Sequence, residues 1–323
     1  MRAIVHERFG PPDVLELREV EQPPLTEDGV LVRVHAASVN PFDWHFLTGL
    51  PYLARLGAGF RAPKTKRLGT DFAGTVEAVG KDRTGFKPGD EVFGARNGAF
   101  GEYVCARRSI AHKPANVSFE DAAAVPIAGV TALQALRKGG VQAGQNVLIN
   151  GASGGVGTFA VQIAKSLGTE VTGVCSTRNV EQTRSLGADR VIDYTREDFT
   201  RDGARYDLLV DIAGDRPWSE VKRVLPEDGT SVVVGGPKSN RWFGRLGMSV
   251  VERLISIPDS RTLVTPFLAN LTPEDLVFLG SLLENGSVKP VIERRYELSQ
   301  VPEALRYIGE GHAHGKLVVM VQP

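Results

Sequence analysis

One run constrains this chain more than any other. Gln145-Asn-Val-Leu-Ile-Asn150 has the length and apolarity of a strand, Gly151-Ala-Ser-Gly154-Gly155-Val156-Gly157 follows as a glycine turn, and Thr158-Phe-Ala-Val-Gln-Ile-Ala-Lys165 continues as a helix. A strand, a glycine turn and a helix start in that order form a dinucleotide-binding fingerprint. Glycines let backbone amides approach a pyrophosphate, and the helix N-terminus adds partial positive charge. Ala152 stands at the strict first glycine of the pattern and is small enough for the turn. The expected contacts are Ala152, Ser153, Gly154, Gly155, Val156 and Gly157.

The next strand, ending Val174-Cys175-Ser176-Thr177-Arg178-Asn179, refines this. A residue about 20 positions beyond the glycines reads the adenosine ribose, and an NAD site wants a carboxylate there. None is present. Ser176 offers a hydroxyl, and Arg178 can pair a 2′-phosphate as a charge-assisted fork, so the expected cofactor is NADPH. Arg178 as a solvated turn residue is the plainer alternative.

Strands alternate with helices from Asp121 onward, with strands at Glu170–Val174, Arg190–Asp193, Asp207–Asp211 and Ser231–Gly235, which argues for a parallel sheet covered on both faces. Before about residue 120 the texture is different: short alternating strands such as Val30–His35 and Gly74–Gly80, broken by glycine and proline turns. The tail from Thr265 holds a helix at Pro273–Glu284, another at Gln300–Ile308 and a last strand at Lys316–Val321, elements that complete the first domain. The expected fold is therefore α/β, with a β-rich domain over 1–122 and 267–323 and a doubly wound domain over 123–266 inserted within it. The apolar stretch between residues 237 and 262, with Trp242, Phe243, Leu246 and Met248, breaks the rhythm and reads as packed helices, with a lid or dimer contact as the alternative.

Composition excludes several classes. Net charge of +0 gives no reason to expect a nucleic-acid or anionic-membrane partner. The basic run Arg61, Lys64, Lys66 and Arg67 lacks the interleaved aromatics that single strands stack on. No segment approaches a membrane span, and no signal-peptide pattern opens the chain. Two cysteines, Cys105 and Cys175, build no disulfide framework and fit a reducing cytoplasm. Zinc needs a cluster of Cys, His or carboxylate ligands. The one close pair, His312 and His314, lies in a glycine-rich turn, so no metal is expected.

Several motifs in order resemble the medium-chain dehydrogenase/reductases, and among them the zinc-free quinone and enone reductases. They are Ala36–Asp43, Gly69–Gly74, Lys87–Val92, Ala128–Ala135, Asn150–Gly157, Leu186–Asp189 and Gly311–Lys316, spread over nearly the whole chain. The resemblance implies a Rossmann domain inserted into a GroES-like catalytic domain, a cleft between them, and a homodimer. Zinc-dependent relatives carry a cysteine where Asn40 stands and Gly-His-Glu where this chain has Gly69-Thr70-Asp71. On the catalytic side it implies Asn40 as an amide donor near the nicotinamide, Tyr52 as a phenol donor and Asp43 in a proton relay. Asn40 as a cap for the turn before Pro41, Tyr52 as packing and Asp43 as a turn-holding carboxylate are the plainer alternatives. On the cofactor side it implies Thr131, Tyr194, Ala213, Gly235, Phe267 and Lys316.

The function expected is NADPH-dependent, zinc-independent hydride transfer to quinones or α,β-unsaturated carbonyls, with a small hydrophobic electrophile as substrate. A non-catalytic NADPH-binding protein acting in redox sensing or RNA binding shares every cofactor motif and is the rival from another class. A zinc-type alcohol dehydrogenase is the third reading.

Overall fold

The computed structural model describes every residue except 53, 54, 56–58, 215, 236–259, 266, 312, 322 and 323. The apolar stretch around Trp242 to Met248, Gly236 and His312 therefore lies outside the described residues. Contacts divide the chain into two compact units, Met1–Val130 with Asn270–Pro323, and Thr131–Ala269.

The first unit opens with strands β1 (Arg2–Val5) and β2 (Glu16–Glu19), an antiparallel pair. Its main sheet uses β3 (Val30–Val39), β4 (Asp71–Val79), β5 (Glu91–Ala95), β6 (Tyr103–Ala106) and β7 (Ile110–His112), with helices α1 (Pro41–Thr48) and α2 (Phe119–Ala123). Helix α3 (Pro126–Lys138) begins in this unit and ends in the next.

The second unit holds β8 (Asn146–Asn150), α4 (Gly155–Ser166), β9 (Glu170–Cys175), α5 (Val180–Ser185), β10 (Arg190–Asp193), β11 (Leu208–Asp211), α6 (Trp218–Val221), β12 (Thr230–Val233) and β13 (Thr262–Val264). The chain then returns to the first unit through α7 (Pro273–Glu284), β14 (Ile292–Glu297), α8 (Val301–Glu310) and β15 (Lys316–Met320).

β3 organises the first unit. Nearly all of its ten residues are buried, as a strand covered on both faces requires. One edge pairs with β4, while the other takes β6 at Val30–Arg33 and β15 at Ala36–Val39. Register shifts between Leu31 and Val32, and between Val34 and Ala36, bend the strand. Phe72 and Phe100, both with no exposed surface, fill the core beneath it with Leu47 of α1. The same pairings bring the far ends of three strands together: Ser38 faces Asp71, and Val39 faces Leu317.

In the second unit six strands run parallel in the order β10-β9-β8-β11-β12-β13. Numbered from β8 this is 3-2-1-4-5-6, the doubly wound order of a Rossmann sheet. The connections leaving β8 and β11 diverge to opposite sides, so a crevice opens at their carboxyl ends. Asn150 and Asp211 sit side by side there in register, and Asn150 Nδ2 donates to Asp211 Oδ1 at 2.8 Å. The α/β fold expected from the sequence, a Rossmann sheet in one unit and a β-rich second unit, is the fold observed.

Candidate functional site

The glycine turn sits at that switch point. Gly151 has φ +90°, a backbone open to glycine and strained for other residues. Its amide and that of Ala152 donate to Val174 O at 3.1 and 3.0 Å, tying the turn to the end of β9. A Cβ on Gly157 would lie 2.1 Å from the Gly151 carbonyl oxygen, so only glycine lets α4 start this close to the turn. Gly154 is the N-cap in extended conformation, and a Cβ there would meet nothing closer than 3.7 Å. The amides of Gly155, Val156 and Gly157 have no acceptor within their own helix, and Ser153 to Val156 are half-exposed. Unengaged amides at the start of a twelve-residue helix, beside an open glycine face, fit a pyrophosphate.

Several of the expected cofactor residues stand just beyond the strand ends of this sheet. Ser176 closes β9, half-buried, and Arg178 beyond it is exposed. Tyr194 follows β10 with 57% of its surface exposed. Ala213 is exposed after β11, next to Gly151, and Gly235 follows β12 packed close to the Ile212 carbonyl. Thr131 is half-buried on α3. Phe267 is half-buried, with the Lys138 ammonium 5.1 Å from its ring centre.

A residue the sequence reading passed over completes the turn. Asn179, 5% exposed, donates from Nδ2 to both Ser153 Oγ and Ser176 Oγ at 3.1 Å each. The signal was present: an asparagine three residues after a strand-end serine is placed to bond back to it.

The first unit collects a second group where β3 ends and β4 and β15 begin. Asn40 caps α1, and its backbone amide donates to Asp43 Oδ2 at 2.8 Å. Its side-chain Nδ2 donates to Asp71 Oδ2 at 2.9 Å and to Ser38 O at 3.4 Å, while Oδ1 accepts from Lys316 Nζ. Ser38 Oγ and the Ile127 amide also donate to Asp71, and Thr70 Oγ1 donates to Asp43 Oδ1 at 2.9 Å. Lys316 Nζ lies 3.7 Å from Asp71 Oδ2, with side-chain exposures of 3% and 0%. Asn40, Asp43 and Lys316 are thus brought into one buried network, and every polar atom of the Asn40 amide is engaged within it. Tyr52 stands apart, exposed, with the Arg55 guanidinium 4.9 Å from its ring centre.

Burial dominates the electrostatics of this network. Desolvation raises the Asp43 carboxyl to about 7, helped by the negative Asp71 and opposed by the bonds from Asn40 and Thr70. Desolvation also raises Asp71, against the pull of Lys316, and lowers Lys316, against the pull of both carboxylates. Among the described residues no three His, Cys, Asp or Glu side chains come together in a way that holds a metal ion. Nor is any described helix long and apolar enough to cross a membrane.

A two-unit α/β protein with a dinucleotide-binding turn is the class that this sheet order and glycine turn define. Residues 26–116 match the family model described as alcohol dehydrogenase GroES-like domain, and residues 186–319 match that of zinc-binding dehydrogenase. A chloroplastic quinone-oxidoreductase of Triphysaria versicolor is 34% identical over 99% of this chain and 98% of its own length. The structure of the quinone oxidoreductase from Coxiella burnetii superposes with a TM-score of 0.87 at 32% identity, covering 100% of this chain and 99% of that one. The Escherichia coli quinone oxidoreductase complexed with NADPH gives 0.82 at 26% identity, covering 99% and 100%. The chain belongs to the medium-chain dehydrogenase/reductase superfamily.

Proposed function

We propose that this protein is an NADPH-dependent, zinc-independent reductase of quinones and α,β-unsaturated carbonyls. The observation that carries the reading is the rim of the glycine turn. Ser176 and the exposed Arg178 follow β9, whose end is tied to that turn, with no carboxylate at the ribose-reading position. A carboxylate would repel a 2′-phosphate, whereas a guanidinium pairs with it through two parallel hydrogen bonds. The Escherichia coli relative with NADPH bound supports the same assignment.

Bound NADPH supplies the hydride. The chain's own groups hold and orient. The amides at the start of α4 face the pyrophosphate, and Ser176 with Arg178 and Tyr194 faces the adenosine ribose phosphate. Ala213, Gly235 and Phe267 offer backbone along the strand ends, and Thr131 a hydroxyl at the nicotinamide side. In the first unit Lys316 and Asp71 lock the Asn40 amide, so Asn40 acts through a fixed orientation, while Asp43 retains a proton near neutral pH that it can share with the Thr70 hydroxyl. Tyr52 serves as a further phenol donor. The polar set at Asn40, Thr70 and Asp71, already joined to an internal ammonium, suits reduction of an activated alkene or quinone, which needs a hydride and a proton and no Lewis acid. The protein acts as a homodimer in a reducing cytoplasm.

Steady-state oxidation of NADPH and NADH against a panel of quinones and enones tests this. The expected result is turnover with NADPH preferred; no oxidation with any electrophile sinks the activity. Arg178→Ala is expected to reduce the NADPH-to-NADH preference on the order of tenfold, the value of one exposed charge-assisted pair. An unchanged ratio removes Arg178 from the cofactor site. Sedimentation velocity decides the dimer.

A further inference from the structure

The second unit contains a buried amide that holds two serine hydroxyls at once. Asn179 lies at the start of α5, 5% exposed, and its two Nδ2 hydrogens go one each to Ser153 Oγ, in the glycine turn, and Ser176 Oγ, at the end of β9. A serine hydroxyl has one donor and can accept twice. Here an accepting lobe of each is filled from below by the same nitrogen, and neither hydroxyl donates to any described residue. Both side chains are half-exposed. Each O–H is therefore left to turn outward, toward whatever occupies the rim of the turn.

Two outward donors held by one nitrogen are close enough for a single anion to span. A phosphate dianion only accepts and can take both. A ribose 2′-hydroxyl has a single oxygen that must also place its own hydrogen, so it gains less from such a pair. We propose that Asn179 is a specificity-determining positioning residue, which fixes Ser153 and Ser176 as a pair of donors for the 2′-phosphate of the cofactor. This rests on the NADPH reading above and assigns part of that selectivity to a residue that itself touches no ligand. It also couples the glycine turn to the ribose-reading strand end, so that the two halves of the adenosine site keep one geometry.

Isothermal titration of the whole protein with adenosine 2′,5′-bisphosphate and with 5′-AMP isolates the 2′-phosphate from the rest of the cofactor. The wild-type protein is expected to prefer the bisphosphate. Asn179→Ala frees both hydroxyls to accept as well as donate, and the preference is expected to fall roughly fivefold to tenfold, while 5′-AMP affinity changes less than about threefold. The same-sized Asn179→Asp is expected to do more, because a carboxylate draws both hydroxyl hydrogens inward and repels the phosphate. Ser153→Ala/Ser176→Ala alters half-exposed positions and keeps the fold. It is expected to lose the preference as well, and adding Asn179→Ala to it should change the preference no further. Three results overturn the proposal: a preference that survives the Asn179 variants, equal losses for both ligands in Asn179→Ala, or a full additional loss in the triple variant. A wild-type protein with no preference for the bisphosphate overturns the NADPH reading together with this one, whereas a wild-type preference that the variants retain removes Asn179 alone.

Discussion

The two units each gather polar side chains at the ends of their strands, and they treat them in opposite ways. In the first, Ser38, Asn40, Asp43, Thr70, Asp71 and Lys316 are sealed, and their hydrogen bonds run to one another. In the second, Ser153, Gly155, Val156 and Ser176 are partly exposed and Arg178 is exposed. The contrast separates two uses of polarity. A satisfied buried network costs desolvation and returns a fixed geometry, whereas an open rim keeps its donors for a ligand.

The contrast breaks most visibly if the sealed network loses its cation. Lys316→Met leaves Asp71 buried beside a partner that no longer neutralises it, and unfolding in urea is expected to show a loss of about 3–5 kcal/mol. A loss below about 1 kcal/mol would mean that the pair is already neutral in the native protein.

Acid titration sharpens the same side. Asp43 keeps its proton in the folded protein up to about pH 7, whereas the unfolded chain releases it near 3.8. Its contribution to stability is thus fully present below about pH 4 and declines as the pH rises to about 7, by at most about 4 kcal/mol. Urea midpoints for the wild type and Asp43→Asn across this range are expected to converge toward low pH only in the slope that Asp43 causes; parallel curves would show an ordinary, ionised Asp43.

On the open side, Gly157→Ala drives a methyl into the Gly151 carbonyl, and thermal unfolding is expected to report a loss of about 1–3 kcal/mol together with weakened NADPH binding. The smallest effect belongs to Arg178→Ala. With its side chain in solvent, stability should move by less than about 0.5 kcal/mol even as cofactor preference changes. A large stability change there would make Arg178 structural and blur the distinction between the two regions.

What the sequence made legible follows the same division. The glycine turn is local: strand, turn and helix lie in one run, and φ +90° at Gly151 with the crowded Gly157 is what a glycine pattern encodes. Ser176 and Arg178 lie a fixed count further along that run. The sealed network is not local. Lys316 and Asn40 are 276 residues apart, and only the register of β15 on β3 makes them neighbours. Nothing in the sequence marks α1, because Phe42, Trp44, Phe46 and Leu47 give no single apolar stripe. β13, three residues on a sheet edge, is too short to show any alternation.

The cysteines carry a consequence for experiment. Cys105 lies in β6 of the first unit and Cys175 in β9 of the second; both are free, with 8% and 1% of their surface exposed. A thiol reagent reaches either one only when its own strand opens, and burial further slows Cys175 by holding its thiol protonated. The labelling rate of each thiol is therefore a clock for the breathing of its own unit. Common dependence of the two rates on urea would mark a chain that opens as a whole, and separate dependences one that opens piece by piece, read without introducing a new cysteine.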